Sequence, residues 1–213
     1  HVSHFKYHED TCIEAAASWL AARTSSKPLC LIVGTNWPHV PWPAKPDVPP
    51  DDVASRPNLI DTPATREAVA RYATAVARAD RDLGLIYDAA RKHLKPNTLF
   101  VFTSDHGAQL PFGKWNVYDV GVRTPLIVTW PGRVQPGTKS DAIVSWIDIL
   151  PTCVEAAGGV PPASLNGRSF LGVLGGKSNH HCDEVYLTHS GDGAMNQYPI
   201  RAVRTHDWKY IRN

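Results

Sequence analysis

Three short apolar runs, Leu29-Cys-Leu-Ile-Val33, Leu99-Phe-Val-Phe102 and Pro125-Leu-Ile-Val-Thr-Trp130, carry almost no polar alternation. A strand with one wet face alternates, whereas one without alternation has both faces to bury, as in parallel sheets covered by helices. The first run follows a helix expected over Glu9 to Arg23. Between the first and second lies a longer helix, with Thr62 as N-cap, Pro63 at the first helical position and a stop near Pro96. Its apolar residues Val69, Tyr72, Val76, Ala79, Leu83, Ile86, Ala90 and Leu94 recur at three- and four-residue steps, giving one helical face. Buried strands alternating with long helices predict an α/β sandwich with a mainly parallel sheet.

Other elements fill in around this frame. Asn36-Trp-Pro-His-Val-Pro-Trp-Pro43 is too rich in proline for helix or ladder and opens a surface excursion reaching Pro57. Asp148 to Ala157 reads as a helix stopped by Gly158-Gly159, with Asp141 and Asp148 bracketing its start. From about His180 the texture changes. Val185-Tyr-Leu-Thr188, Ile200-Arg-Ala-Val-Arg204 and Trp208-Lys-Tyr-Ile211 alternate and are separated by turn residues, as antiparallel strands are. Residues 1–179 are therefore expected to belong to an α/β domain, and 180–213 to begin a small antiparallel subdomain.

The 213 residues carry a formal charge of +2 with Lys and Arg scattered, which argues against nucleic acid or an acidic membrane surface as partner. No apolar stretch approaches the roughly 20 residues of a membrane span. Cys12, Cys30, Cys153 and Cys182 are widely spaced, with neither a CxxC pair nor a disulfide framework among them. Cys30, inside an apolar run, is expected to be a buried thiol. The first residue is His1, and Trp208-Lys-Tyr-Ile-Arg-Asn213 reads as a strand in progress, so both ends are expected to be cuts in a longer protein.

In α/β sheets ligands bind beyond the carboxyl ends of strands, and two of the apolar runs lead into loops holding His39 and the Asp105-His106 pair. In Ser104-Asp-His-Gly107 a carboxylate and an imidazole adjoin at a strand end and can face one cation, with Gly107 permitting a tight turn. A plain turn capped by Asp105 reads the same letters. Lys114 follows in Phe112-Gly-Lys-Trp-Asn-Val-Tyr-Asp119, where an ammonium suits a sulfate or phosphate oxygen and equally suits an ordinary surface position. His39, between prolines, is either structural or an imidazole aimed at an oxyanion or a leaving group. Trp37, Trp42 and Trp115 flank these residues. His180-His-Cys182 spells a metal cluster, but no second cluster accompanies it, and Asp80-Arg-Asp82 reads as a solvated helix face.

Taken in order, Leu31-Ile-Val-Gly-Thr-Asn-Trp-Pro-His-Val-Pro41, Phe102-Thr-Ser-Asp-His-Gly107, Gly113-Lys-Trp-Asn-Val-Tyr-Asp119, Gly121-Val-Arg-Thr-Pro125, Asp148-Ile-Leu-Pro-Thr152 and Asn166-Gly-Arg-Ser-Phe170 resemble the type I sulfatases of the alkaline-phosphatase-like superfamily. The tail, Tyr198 to Asn213, is similar to the heparan N-sulfatase branch. The resemblance implies an alkaline-phosphatase-like α/β/α sandwich and hydrolysis of sulfate ester or N-sulfate groups on a small sulfated substrate, a saccharide. It implies Asp105 and His106 as two ligands of a calcium ion, although the second position is often Asn in that family. It also implies Lys114 as the cation on the sulfate group and His39 as the histidine near the sulfate or leaving group, in a periplasmic, secreted or lysosomal-type compartment. Sulfatases attack with a formylglycine made within a Cys/Ser-x-Pro-x-Arg motif. No such motif occurs here, and Ser26-Lys-Pro-Leu-Cys30 misses it by the arginine. These residues alone are thus expected to be inactive. A phosphodiesterase or phosphonate hydrolase of the same superfamily, and a non-catalytic module binding sulfated glycan, are the competing readings.

Overall fold

The structure, a computed structural model, describes residues 12–54 and 56–213. They form two compact units. One takes in the described residues up to Pro96 together with Ala108–Pro111, the other Asn97–Gly107 with Phe112–Asn213.

The first unit is two packed helices and a loop pinned to them. Helix α1, Cys12–Ala22, buries Ile13 and Leu20; the expected start at Glu9 lies outside the described residues. Helix α2, Pro63–His93, begins as its sequence foretells: the Thr62 hydroxyl accepts the Thr65 N–H at 3.2 Å with Pro63 following. At its other end Arg91, Lys92 and His93 face the negative pole of the helix. Val69, Ala79, Ile86 and Ala90 are buried as the periodicity predicts, but Ala70, Thr74 and Ala75 are buried too while Val76 is exposed. Small side chains widen the stripe where the chain presses closest. Fully buried Thr74 is satisfied twice, donating to the Ala70 carbonyl at 3.1 Å and accepting the Asp47 N–H at 2.8 Å.

The run Leu29–Val33 forms no strand, contrary to its composition. A buried strand needs a ladder partner and a cover, and among the described residues no strand pairs with it. Ile32 stands 92% exposed and Cys30 is likewise exposed, not a buried thiol.

In the second unit, strands β1 (Phe100–Thr103) and β2 (Leu126–Thr129) pair antiparallel, with Val101 opposite Val128 and Phe102 opposite Ile127. A short helix α3, Asp119–Val122, lies between them in sequence. Strands β3 (Val185–His189), β4 (Ile200–Arg204) and β5 (Lys209–Arg212) form a second antiparallel sheet, close to the strands read from the sequence. Both sheets among the described residues are thus antiparallel, whereas the uninterrupted apolar runs predict a mainly parallel one. β1 and β2 reach their pairing through a connection without the long crossover helix that parallel neighbours require. On the second sheet Leu187, Ala202 and Ile211 stand in register, and with Ile200 they enclose Val117, only 1% exposed. That core ties the segment after Lys114 to the carboxy-terminal sheet.

A third group of contacts explains two of the sequence motifs. Helix α4, Ile149–Ala156, follows a short tight helical turn at Trp146–Asp148 and ends at Gly158 with φ +84°. The Asp148 carboxylate, 5% exposed, accepts the N–H groups of Ser145 and Arg168, both at 2.8 Å, and lies 3.2 Å from His181 Nε2. Thr152 donates to the Asp148 carbonyl at 2.6 Å and accepts the Phe170 N–H at 3.1 Å. At Gly167 an added Cβ would fall 2.0 Å from the Ile147 carbonyl oxygen, so only glycine fits there. No helix among the described residues is long and apolar enough to cross a membrane.

Candidate functional site

Strand β1 ends at Thr103 and delivers Ser104-Asp-His-Gly107 to the surface. The turn is closed by its own polar groups. The Ser104 hydroxyl donates to the His106 carbonyl at 3.0 Å, and the Asp105 carboxylate accepts the His106 N–H at 2.9 Å. Trp146 Nε1–H donates to the Ser104 carbonyl at 2.9 Å from the turn preceding α4. Asp105 nevertheless keeps a side chain 78% exposed, and its second oxygen lies 3.4 Å from His106 Nε2.

The tautomer of His106 follows from its neighbour. Nδ1 sits 2.8 Å from the Gly107 carbonyl, which can only accept, so Nδ1 donates there and leaves Nε2 as the nitrogen beside the carboxylate. A ligating histidine is commonly oriented in this way, by a carbonyl on its other nitrogen. The exposed carboxylate and the neighbouring Nε2 can both face one divalent cation. They are two ligands of a set: among the described residues no cluster of three or more His, Cys, Asp or Glu side chains is arranged to hold a metal.

The segment carrying Lys114 is coupled to this turn by backbone. The Gly107 N–H donates to the Gly121 carbonyl at 2.8 Å, and a Cβ on Gly107 would meet the Val120 carbonyl oxygen at 1.9 Å. Gly121 is equally confined, with the Gly113 carbonyl oxygen 2.4 Å from its would-be Cβ. Glycines thus let the Asp105–His106 turn and the Gly113–Gly121 segment lie against each other. Lys114 itself is half-buried, its Nζ 5.0 Å from the Trp115 ring centroid, within reach of a cation–π contact.

Several contacts bind this segment to the carboxy-terminal sheet, and none is announced by local sequence. Trp115 Nε1–H donates to Asp192 at 2.9 Å, the Tyr198 hydroxyl donates to the Trp115 carbonyl at 3.1 Å, and Lys209 donates to the Val117 carbonyl at 2.7 Å. Lys209 also pairs with Asp119, and its ammonium holds that carboxyl below the usual carboxylate range. The partners are 77 to 92 residues apart along the chain, beyond any spacing rule.

His39 belongs to the first unit. Its loop is anchored to α2: Thr35 donates to Asp82 at 2.7 Å, Arg78 lies 4.9 Å over the Trp37 ring, and Trp42 stacks tilted on Tyr72 at 5.4 Å. Asp82 is therefore an anchor of this loop, not simply part of a solvated face. Half-buried His39 places Nδ1 against the Val40 carbonyl, which can only accept, so that nitrogen donates.

The His180-His-Cys182 spelling does not converge. His180 Nε2 lies 3.0 Å from Asp183, His181 Nε2 turns to Asp148, and the Cys182 thiol donates to the Ile143 carbonyl at 3.0 Å. Burial, together with the Asp148 charge, pushes that thiol up, which keeps it protonated and a poor ligand.

Comparison with known proteins gives these residues a family. The sulfatase family model matches residues 3–160. An ulvan-active sulfatase of Formosa agariphila is 29% identical over 206 residues, covering 94% of this chain and 40% of its own length. N-sulphoglucosamine sulphohydrolase of Homo sapiens is 31% identical over 164 residues, covering 72% of this chain and 32% of its own length. A solved structure from work on the metabolism of multiple glycosaminoglycans by Bacteroides thetaiotaomicron superposes with a TM-score of 0.74 at 24% identity, over 94% of this chain and 50% of that one. That likeness shows a shared fold. The chain spans 32–40% of the length of these curated relatives. With the family model extending over well more than half of its residues, the chain belongs to the sulfatase family.

Proposed function

We propose that the full-length protein hydrolyses sulfate ester or N-sulfate groups on a sulfated saccharide, and that this chain supplies part of the catalytic site. One observation carries the reading above the others: inside the family-matched segment, an exposed carboxylate adjoins an imidazole whose Nδ1 is held by the Gly107 carbonyl, with Nε2 3.4 Å from the carboxylate. The saccharide is suggested by the relatives, one acting on ulvan and one named for N-sulphoglucosamine.

In this reading Asp105 and His106 are two ligands of a calcium ion, with the remaining ligands and the formylglycine expected from sequence outside these 213 residues. When bound, the ion offsets charge on the sulfate, and the formylglycine supplies the attacking oxygen. Lys114 donates to the sulfate oxygens, where charge changes as the bond from sulfur to the leaving atom breaks. His39 assists the departing alcohol or amine with a proton or donates to the sulfate. Overall, the S–O or S–N bond is exchanged for a bond to oxygen derived from water, and the alcohol or amine leaves protonated.

Residues 1–179 are then part of a catalytic domain built as an α/β/α sandwich on a mainly parallel sheet, and 180–213 open its antiparallel subdomain. A periplasmic, secreted or lysosomal-type compartment goes with the reading.

The test is sulfate release from N- and O-sulfated glucosamine by the full-length protein. Lys114→Ala is expected to lower kcat by roughly 10²–10³, the usual cost of a preorganised donor to reacting oxygens. Asp105→Ala is expected to abolish turnover and weaken calcium binding, with the circular dichroism spectrum unchanged. Full activity in either variant would overturn the assignment, and faster turnover of a phosphodiester or phosphonate than of any sulfate would move the protein to its neighbouring class.

A further inference from the structure

Lys114 is followed by a residue in an unusual state. Trp115 has φ +66°, a left-handed conformation that bulky residues seldom adopt and that persists only where surrounding contacts enforce it. The connection between β3 and β4 provides such contacts at both ends of the residue: Asp192 accepts the indole N–H at 2.9 Å, and Tyr198 donates its hydroxyl to the main-chain carbonyl at 3.1 Å.

The connection is itself braced. Asp192 and Met195 exchange N–H to C=O bonds, both at 2.9 Å, and Gln197 donates to the Gly193 carbonyl at 2.9 Å. His189 Nε2 lies 3.0 Å from the Asn196 carbonyl, and its ring is 5.0 Å from that of Tyr198. Two residues beyond Trp115, Val117 is sealed into the apolar face of the same sheet. The indole plane is thus fixed from the sheet side, and the Lys114 ammonium lies against that plane at 5.0 Å. Any rotation of the indole carries the preferred position of the ammonium with it.

We infer that Asp192 is a positioning residue for Lys114, acting through Trp115, with Tyr198 as the second anchor. The carboxy-terminal sheet, on this account, sets where the sulfate-facing cation stands, and a residue 77 positions away in sequence tunes it. The inference rests on the reading of Lys114 as that cation.

The experiment uses the full-length protein with 4-nitrophenyl sulfate. Asp192→Ala is expected to lower kcat about fivefold, the worth of one hydrogen bond, with the thermal midpoint lowered by no more than a few degrees. Asp192→Asn keeps an acceptor oxygen and is expected to retain most of the rate. Trp115→Phe removes the donor, so Asp192→Ala in that background is expected to cost nothing further. Independently of turnover, the Trp115 indole N–H resonance is expected to shift in Asp192→Ala. An unshifted resonance, an unchanged kcat, or additive losses in the double variant would each overturn the inference, and Tyr198→Phe repeats the test at the second anchor if Asp192→Ala fails to fold. Lys114→Ala separates the two levels. If it silences the enzyme while Asp192→Ala does not slow it, only the inference falls; if Lys114→Ala stays active, the underlying reading falls and takes the inference with it.

Discussion

Asp105 and His106 owe their chemistry to backbone atoms beside them. The carbonyl of Gly107 decides which imidazole nitrogen keeps its proton, and the N–H of His106 fixes one oxygen of the carboxylate, leaving the other toward Nε2. Gly107 has a separate task. Its N–H bonds to Gly121, and all three atoms nearest a would-be Cβ are backbone, the closest at 1.9 Å. Backbone cannot swing aside as a flexible side chain can, so Gly107→Ala is expected to destabilise the protein by about 1–3 kcal/mol in chemical denaturation, the range of an overpacked site. Gly84, in the middle of α2 with nothing within 4 Å of its would-be Cβ, is the control: alanine there is expected to stabilise by up to ~1 kcal/mol. A neutral Gly107→Ala would mean that the two segments are not pressed together as described.

At the scale of elements, the fold is stitched by polar groups on helix termini and strand ends. Asp148 and Thr152, four residues apart on one side of α4, satisfy the backbone of Arg168 and Phe170, which is why the Asp-Ile-Leu-Pro-Thr and Asn-Gly-Arg-Ser-Phe motifs occur together. Lys209 on β5 reaches Asp119 at the start of α3. Because Lys209 lowers that carboxyl below its ordinary value of 3.8, the pair contributes stability above about that pH and loses it as pH falls through the depressed value. Lys209→Met is therefore expected to show its full destabilisation near neutrality and a shrinking difference from wild type below pH 4, read from urea titrations at several pH values. A difference independent of pH would contradict the pairing.

These elements also show what sequence patterns can carry. The cap at Thr62, the glycine stop after α4 and the three carboxy-terminal strands were legible because their signals are local: a hydroxyl before proline, a positive-φ glycine, period-two alternation. Leu29–Val33 misled because composition states that a strand could be buried and says nothing of whether a partner stands beside it. At the site, Asp105, His106, Lys114 and His39 are legible from residue chemistry at loop positions and from the order of the motifs. Asp192, Tyr198 and Lys209 were invisible, since their bonds join positions about 80 to 90 residues apart.

For the whole molecule, the candidate groups divide between the two units, each set held by contacts within its own unit. His39 stands on a loop locked to α2, while Asp105, His106 and Lys114 stand on segments locked to each other through Gly107 and Gly121. The direct test is a crystal structure of the full-length protein with calcium and inorganic sulfate. The account predicts the sulfate within hydrogen-bond distance of Lys114 Nζ, with the ion bound by Asp105 and His106. Those side chains turned to separate faces, with the sulfate bound elsewhere, would contradict it.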